Sequence, residues 1–326
     1  MVTISVVMPV YNTNVPMLRR AVESILNQTF QDFELLIIDD GSTNDCAAYL
    51  DALNDPRVRI LRNETNLGIT KSLNIGFRAA QGKYIARMDS DDVSLPDRFE
   101  KQFAFMEQHP DVIVCGSKTG KNGKEPPVFP QAMESMEEYR VKMLFRNPGP
   151  VHPTAFFRRE KLVQHKIEYN EQLIYAQDYD MWMRIIQYGN VCVLPEALLY
   201  RIMHSDQISN KHREQQIRCD KITQKKLLEQ LLDHVTEEEV DLHYFHSTGY
   251  YPEATMTPRV NQWYRRLLAA NRRKKIYNQS ILEKQVKSIK KALVYYTVKP
   301  NASRLQRNLV YLRYMPIETI KKKFRK

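Results

Sequence analysis

The sequence predicts an α/β protein: a mostly parallel central sheet with helices on both faces, followed by a helical, basic extension. Three observations carry this. Short apolar, β-branched runs alternate with amphipathic stretches through the first half of the chain. Acidic clusters stand where the apolar runs end. Strand signals stop near residue 210, beyond which the pattern is helical and increasingly basic. A repeated β-α-β-α order implies parallel strands whose helices cover both faces, and ligands of such sheets bind at the carboxyl ends of the strands.

The elements follow in order. "ISVVMPVYN" (Ile4–Asn12) is a buried strand by its continuous β-branched content. In "VPMLRRAVESILNQ", Leu18, Ala21, Val22, Ile25 and Leu26 recur at helical spacing. "FELLIIDDGS" reads as strand and turn, Asp45–Leu53 as a short helix and "VRILRN" as a third strand. A helix over Thr70–Ala80 leads into "KYIARMDSDD", the fourth strand. Ser94 is the expected N-cap, with Pro96 in the first turn, of a helix running to Gln108. The polar, Gly/Pro-rich Ser117–Pro130 predicts a mobile loop. A helix over Ser135–Phe145, a Pro-rich turn entering a strand in "NPGPVHPTAFFRRE", and a helix in "AQDYDMWMRIIQYG" with Met181, Ile185 and Tyr188 on one side come next. "VCVLPEALLYRIMHSDQIS" completes the unit. A boundary near 210–220 separates residues 1–215 from a helical region, 216–326.

Composition narrows the class. With 326 residues, 43% apolar and 27% charged, the chain matches an ordinary soluble globular protein with a sizeable core. Cys46, Cys115, Cys192 and Cys219 are scattered, with no CxxC pair, and read as reduced thiols of a cytoplasmic protein. "MVTISVVMPVYN" lacks the basic n-region of a signal peptide, and no apolar run reaches the roughly 18 residues needed to span a bilayer. The net charge of +11 is uneven: Arg265–Lys326 holds 19 Lys and Arg against Glu283 and Glu318, so the rest of the chain is net acidic.

Three carboxylate clusters carry the chemistry. Asp39-Asp40 in "LLIIDDGST" also fits a turn with a helix cap. Asp89-Ser90-Asp91-Asp92 does not: a cap explains one acid, not three. Carboxylates flanking one small residue at a strand end converge on a hard divalent cation, which prefers oxygen ligands and relieves their repulsion. Gln177-Asp178-Tyr179-Asp180, opening a helix, also fits a favourable interaction with the helix dipole. Phosphate-loop readings fail, because no GxGxxG follows a strand and "GFRAAQGKY" lacks the GxxxxGK[ST] spacing.

Taken together, "VVMPVYN", "LLIIDDGST", "NLGITKSLNIGFRAAQGKYIARMDSDD", "QDYDMWMR" and "YRIMHSDQIS" resemble, in order and spacing over roughly residues 3–210, the inverting family 2 glycosyltransferases of GT-A fold that build bacterial polysaccharides. The resemblance implies that residues 1–215 are a GT-A catalytic domain. Pro9, Tyr11 and Asn12 match the loop lying along the nucleotide; Asp39 matches the acid that reads the uracil edge, with Asp40 beside it. Asn66, Gly68 and Lys71 fall where a further loop approaches the nucleotide. Asp89 and Asp91 match the DxD motif around Ser90, with Asp91 the direct metal ligand and Asp89 reaching the ribose or the metal. Asp178 matches the catalytic base; the usual neighbour is Glu, and Gln177 here removes a charge and implies a less elevated pKa for Asp178. Arg201 and His204 match a late element near the diphosphate, His204 as a third metal ligand or a phosphate hydrogen-bond partner. His152 either borders the acceptor site or is a turn histidine, and Trp182 is either an acceptor platform or, the better fit, core.

The implied activity is metal-dependent transfer of a sugar from a UDP-sugar, with Mn²⁺ or Mg²⁺, to a glycan or lipid-linked oligosaccharide. The tail interleaves Lys and Arg with aromatic and aliphatic residues. That pattern fits a solvated helical face, an oligomer contact or a polybasic surface docking on anionic lipid at the inner face of the cell membrane. No nucleic-acid motif accompanies the charge. The competing readings are a nucleotidyltransferase, whose Gly-rich basic loop "PVYNTNVPM" does not supply, and a catalytically silent nucleotide-sugar or glycan-binding scaffold.

Overall fold

The computed structural model describes residues 2–124, 134–203, 212–248 and 258–297. The chain divides into two compact units, one built from Met1–Met136 and Gly149–Cys219, the other from Glu137–Pro148 and Asp220 onward. In the first, β1 (Ile4–Val10), α1 (Val15–Leu26), β2 (Phe33–Asp39), α2 (Cys46–Asp51), β3 (Val58–Arg62), α3 (Ile69–Ala79) and β4 (Tyr84–Arg87) alternate as the hydrophobic pattern predicts. Then come β5 (Val93–Ser94), α4 (Arg98–Gln108), β6 (Val112–Lys121) and α5 (Met136–Phe145), of which all but Met136 belongs to the second unit. A 3₁₀ turn at His152–Thr154 leads to β7 (Phe156–Arg158), α6 (Arg159–Gln164), α7 (Gln177–Ile185) and β8 (Asn190–Arg201).

The strands form one sheet in the order β3-β2-β1-β4-β7-β6-β8-β5. β3, β2, β1 and β4 are mutually parallel, as are β6 and β8; β7 runs antiparallel to β4 and β6, and β5 to β8. One face buries Ile4, Val6, Met8, Leu35, Ile37 and Ala86 against Leu18, Val22 and Ile25 of α1, Leu50 of α2 and Phe99 of α4. The other receives α3 so closely that a Cβ on Gly76 would meet Val7 Cγ1 at 2.4 Å. Trp182 of α7 stacks on Phe157 with centroids 5.7 Å apart. Helices cover both faces, as expected.

The strand order reverses between β1 and β4, the place where a crevice opens in such sheets. Their ladder ends at Val7–Arg87, whereas β1 stays paired to β2 as far as Val10–Asp39. Val7 O accepts Met88 N and Val10 O accepts Asp40 N, so odd residues of β1 point toward β4 and even ones toward β2. Pro9, which has no N–H to give, therefore faces the side where the ladder has already stopped. A proline inside a central strand costs nothing here, and it marks the mouth of the crevice.

Three expectations are corrected. Ser117–Lys121 is strand, not loop: it continues β6 beside β8 from Ser117↔Leu194 to Lys121↔Arg201. Gly120 is needed there, since a Cβ would lie 2.3 Å from the Tyr200 ring. Within the described residues the chain turns at Asn122 and Gly123, both at positive φ, and the rest of the expected loop, 125–130, lies outside the described residues. Ser94 does not cap α4 but lies buried in β5, its hydroxyl accepting from Gln28 Nε2 at 3.1 Å. Tyr188 also departs from the predicted apolar side of α7; Met181 and Ile185 are buried, but Tyr188 is exposed and stacks on His165.

The second unit comprises most of α5 with α8 (Arg213–Leu231, from Asp220), α9 (Glu237–Thr248), α10 (Pro258–Lys274) and α11 (Gln279–Thr297). Its core includes Phe145, Leu228, Val240, Trp263, Tyr264, Leu267, Leu282 and Val286. His243 is buried within it: Trp263 Nε1 donates to Nδ1 at 3.2 Å and Nε2 donates to Leu144 O at 2.8 Å. Burial lowers its pKa to about 4, so the ring stays neutral. Among the described residues no helix is long and apolar enough to cross a membrane.

Candidate active site

The crevice collects the predicted acids. Asp89, Asp91 and Asp92 follow β4 directly, and one carboxylate oxygen from each lies within 4.8 Å of the other two. Asp92 is buried, while Asp89 and Asp91 are part-exposed. Burial pushes the Asp92 carboxyl up to about 8, and the charges of Asp89 and Asp91 add to the rise. A hydrogen bond from Ile202 N at 3.1 Å and the charge of Arg201 oppose it. Burial likewise raises Asp89, against the pull of the Arg87 guanidinium that pairs with it. Such a set of crowded carboxylate oxygens fits a hard divalent cation, whose charge removes the repulsion. β5 brings Arg201 there by pairing Val93 with Tyr200 at the end of β8. Ser90, between the acids, hydrogen-bonds Thr13 Oγ1 at 2.7 Å and so ties the cluster to the loop after β1.

The end of β2 is built differently. Asp39 Oδ1 accepts Ser42 N at 3.0 Å, and Oδ2 lies 3.3 Å from Arg62 Nε. Asp40 Oδ1 accepts Asn63 Nδ2 at 2.7 Å and Leu67 N at 2.9 Å, and Oδ2 accepts Gly68 N at 2.9 Å. Asp40 is thus the organiser of the loop before α3. Gly68 N is shared with Asn66 Oδ1 at 2.9 Å, and the positive φ of Gly68 (89°) turns the chain into that helix. Asn66 and Lys71 are exposed. Asn12, at φ 49°, accepts Thr43 N at 2.8 Å and joins the β1 and β2 loops; Tyr11 beside it is exposed.

Asp178 stands half-buried in the first turn of α7, its Oδ1 accepting Tyr179 N at 2.8 Å. Tyr169 lies near both acids. Burial raises its pKa, and the charges of Asp178 and Asp89 raise it further. Its hydroxyl is 2.7 Å from His152 Nε2, and burial, then Arg87, holds His152 well below the ordinary imidazole range. His152 therefore stands in the site region, as a neutral partner of Tyr169. Trp182 is fully buried against Phe157 and gives no ring face to an acceptor. Its burial corrects the platform reading and leaves the core reading. His204 lies outside the described residues.

Sequence reasoning missed Arg87, Arg98 and Tyr169. Arg98 is fully buried, donating to Arg87 O at 2.8 Å and Gln102 Oε1 at 2.9 Å, and burial lowers it to about 9. Arg87 interrupts the apolar run that leads into the acid cluster, a signal the sequence does contain.

The profile of the family described as Glycosyl transferase family 2 matches residues 5–165. An uncharacterized glycosyltransferase of Methanocaldococcus jannaschii is 35% identical over 222 residues, 66% of this chain and 76% of that protein. The amylovoran biosynthesis glycosyltransferase AmsE of Erwinia amylovora is 33% identical over 218 residues, 64% of this chain and 79% of that one. S. aureus TarS 1–349, solved in complex with UDP-GlcNAc, superposes with a TM-score of 0.60 at 20% identity over 98% of this chain and 92% of its own. The mannosyltransferase PcManGT of Pyrobaculum calidifontis, in complex with GDP-Man and Mn²⁺, gives 0.55 at 14% identity over 98% and 87%. Likenesses at such identities speak for the fold.

Proposed function

Because this chain belongs to glycosyl transferase family 2, we propose that it transfers a sugar from a UDP-sugar to a hydroxyl of a surface glycan or lipid-linked oligosaccharide, with inversion at the anomeric carbon. The observation that carries the reading is the convergence of Asp89, Asp91 and Asp92 at the strand-order reversal. Similarity to AmsE, and to the putative colanic acid biosynthesis glycosyl transferase WcaA of Escherichia coli, supports an acceptor in polysaccharide assembly. The TarS and PcManGT complexes support a nucleotide-sugar donor and a divalent metal.

In this reading Asp91 and Asp89 hold Mn²⁺ or Mg²⁺, with Asp92 behind them and His204 as a candidate further ligand. The bound cation supplies Lewis acidity and a template for the diphosphate. Asp39 reads the uracil edge; Tyr11 and Asn12 line the nucleotide, with Pro9 at the mouth, and Asn66, Gly68 and Lys71 border it from the loop that Asp40 organises. Arg87 keeps Asp89 oriented through their ion pair, and Arg201 adds positive charge beside the diphosphate. The acceptor oxygen attacks the anomeric carbon as its proton passes to the Asp178 carboxylate. The anomeric C–O bond to the diphosphate breaks on the opposite face, and UDP departs with the electron pair. Tyr169 and neutral His152 set the walls between donor acid and base.

A UDP-release screen over a panel of UDP-sugars, with Mn²⁺ or Mg²⁺ and with EDTA, tests the donor and the metal together. Release with one donor, abolished by EDTA, is the expected result; release undiminished in EDTA would overturn the metal assignment. Asp178→Asn is expected to lower kcat about 10²–10⁴-fold with UDP affinity unchanged.

A further inference from the structure

The second unit carries its positive charge unevenly. Among its described residues, seven basic side chains are held in ion pairs. Lys221 pairs with Asp241 at 2.8 Å, Arg259 with Glu238 at 2.6 Å and Arg272 with Glu283 at 2.8 Å. Arg273 and Lys274 share Asp233 at 2.7 and 2.8 Å, and Lys225 and Arg266 pair with Glu237 and Glu239.

Beyond its first turns α11 is different. Leu282, Val286, Ile289 and Leu293 form its buried stripe. The opposite face presents Lys284, Lys287 and Lys291, spaced i, i+3 and i+7 and all exposed. No ion pair is found at any of them, nor at Arg265 of α10, within the described residues. Arg265 belongs to the same face by register. The Arg272–Glu283 pair and a Lys290 Nζ hydrogen bond to Asn261 Oδ1 at 2.6 Å set α10 and α11 antiparallel. That places Arg265, one turn on from Asn261, beside Lys290. Lys290 reports the crowding: burial and then the charge of Arg265 lower its pKa to about 8.

We infer that the face formed by Arg265, Lys284, Lys287 and Lys291 docks on the anionic headgroups of a lipid bilayer. Clustered like charges on a folded surface oppose one another, and a plane of negative headgroups turns that repulsion into attraction. Among the described side chains the face offers charge, with Ser288 between Lys287 and Lys291, and no aromatic ring on which bases stack. It fits headgroups better than a nucleic-acid strand. The sequence after residue 297 extends the same character, with nine basic residues against Glu318 alone. The inference rests on the proposed lipid-linked acceptor, because such an acceptor confines the reaction to the bilayer surface.

The test is flotation of the full-length chain with phosphatidylcholine vesicles, with and without phosphatidylglycerol, at low and high salt. Wild type is expected to float only with the anionic vesicles, and less so at high salt. R265Q/K284Q/K287Q/K291Q is expected to lower the partition coefficient at least about 30-fold, while K284R/K287R/K291R retains it. Undiminished flotation of the glutamine variant, equal binding of wild type to neutral vesicles, or a preference for a short single-stranded oligonucleotide at the same salt would each overturn the inference. UDP release from a soluble donor is measured on the same samples. It is expected to be equal in wild type and variant, and a failure of the catalytic reading would show there without touching the flotation result.

Discussion

The acids after β2 and the acids after β4 read alike in the sequence and are built to opposite ends. At Asp39 and Asp40 every carboxylate oxygen meets a donor: Ser42 N, the Arg62 guanidinium, Asn63 Nδ2, and the Leu67 and Gly68 amides. At Asp89, Asp91 and Asp92 the neighbours bring more negative charge than hydrogen bonds can offset, and Asp92 is pushed up to about 8. The difference lies in the following chain. After β2 it curls back and points backbone N–H groups at the acids, whereas after β4 it places acid beside acid. A strand-end acid is structural where the following loop saturates its oxygens with donors, as at Asp40, and ligand-seeking where the chain supplies more carboxylate, as after β4.

The largest effect expected to break this contrast is at Asp91. Asp91→Asn should lower metal-dependent turnover by at least about 10³-fold, the scale of losing a principal electrostatic contact to developing charge. In EDTA its melting temperature should equal or exceed wild type, since a repulsion is removed. Calorimetry of UDP binding with and without Mn²⁺ completes the measurement. Tight Mn²⁺-dependent UDP binding in the variant would place the ligand elsewhere.

Asp92 gives the next effect, and it depends on pH. Its folded pKa of about 8 lies above the ordinary value of 3.8, so between those limits the folded protein holds a proton that the unfolded chain releases. Metal-free stability is therefore greatest at the acid end of this window and falls as pH rises through it, by on the order of a few kcal/mol. Chemical denaturation in EDTA at pH 5, 6, 7 and 8 measures the slope. Asp92→Asn should flatten it, and saturating Mn²⁺ should do the same in wild type. A slope unchanged in Asp92→Asn would show that another group carries the proton.

What the sequence could convey follows from how local each signal is. The alternation of β1 to β4 with α1 to α3 was legible because each element's apolar period faces one sheet. The strand-end acids were legible because they are contiguous. Ser117–Lys121 was not, because its polar side chains say loop and only β8, some 75 residues later, supplies the pairing that makes it strand. Ser94 misled for the same reason: a good cap residue was taken into β5 by Leu199. Tyr169 was invisible as a site residue because its partner, His152, reaches it only through side-chain geometry. The resemblance supplied roles for Asp39 and Asp178 that spacing alone leaves open, while the loop-building function of Asp40 came from the hydrogen bonds.

The smaller effects sharpen the β2 side. Asp40→Asn keeps one acceptor oxygen but turns an NH₂ toward donors, where Asn63, Leu67 and Gly68 now point three N–H groups. The loss should be about 1–3 kcal/mol of stability, read as a lower melting temperature with or without Mn²⁺. That independence from metal is what separates it from Asp91. Gly68→Ala should cost no more than that. Nothing stands within 4 Å of the added Cβ, so its cost is that of the backbone alone, φ 89° with ψ 155°, a conformation essentially confined to glycine and worth on the order of 1–3 kcal/mol. Gly41→Ala serves as the internal control, because there the same left-handed φ is joined by a Cβ approach of 2.7 Å to Thr65 C. If Gly68→Ala instead destabilised as much as Gly41→Ala, the amide held by Asp40 and Asn66 would be fixing the whole loop more tightly than its open surroundings imply, and the β2 side would be the more rigid half of the site.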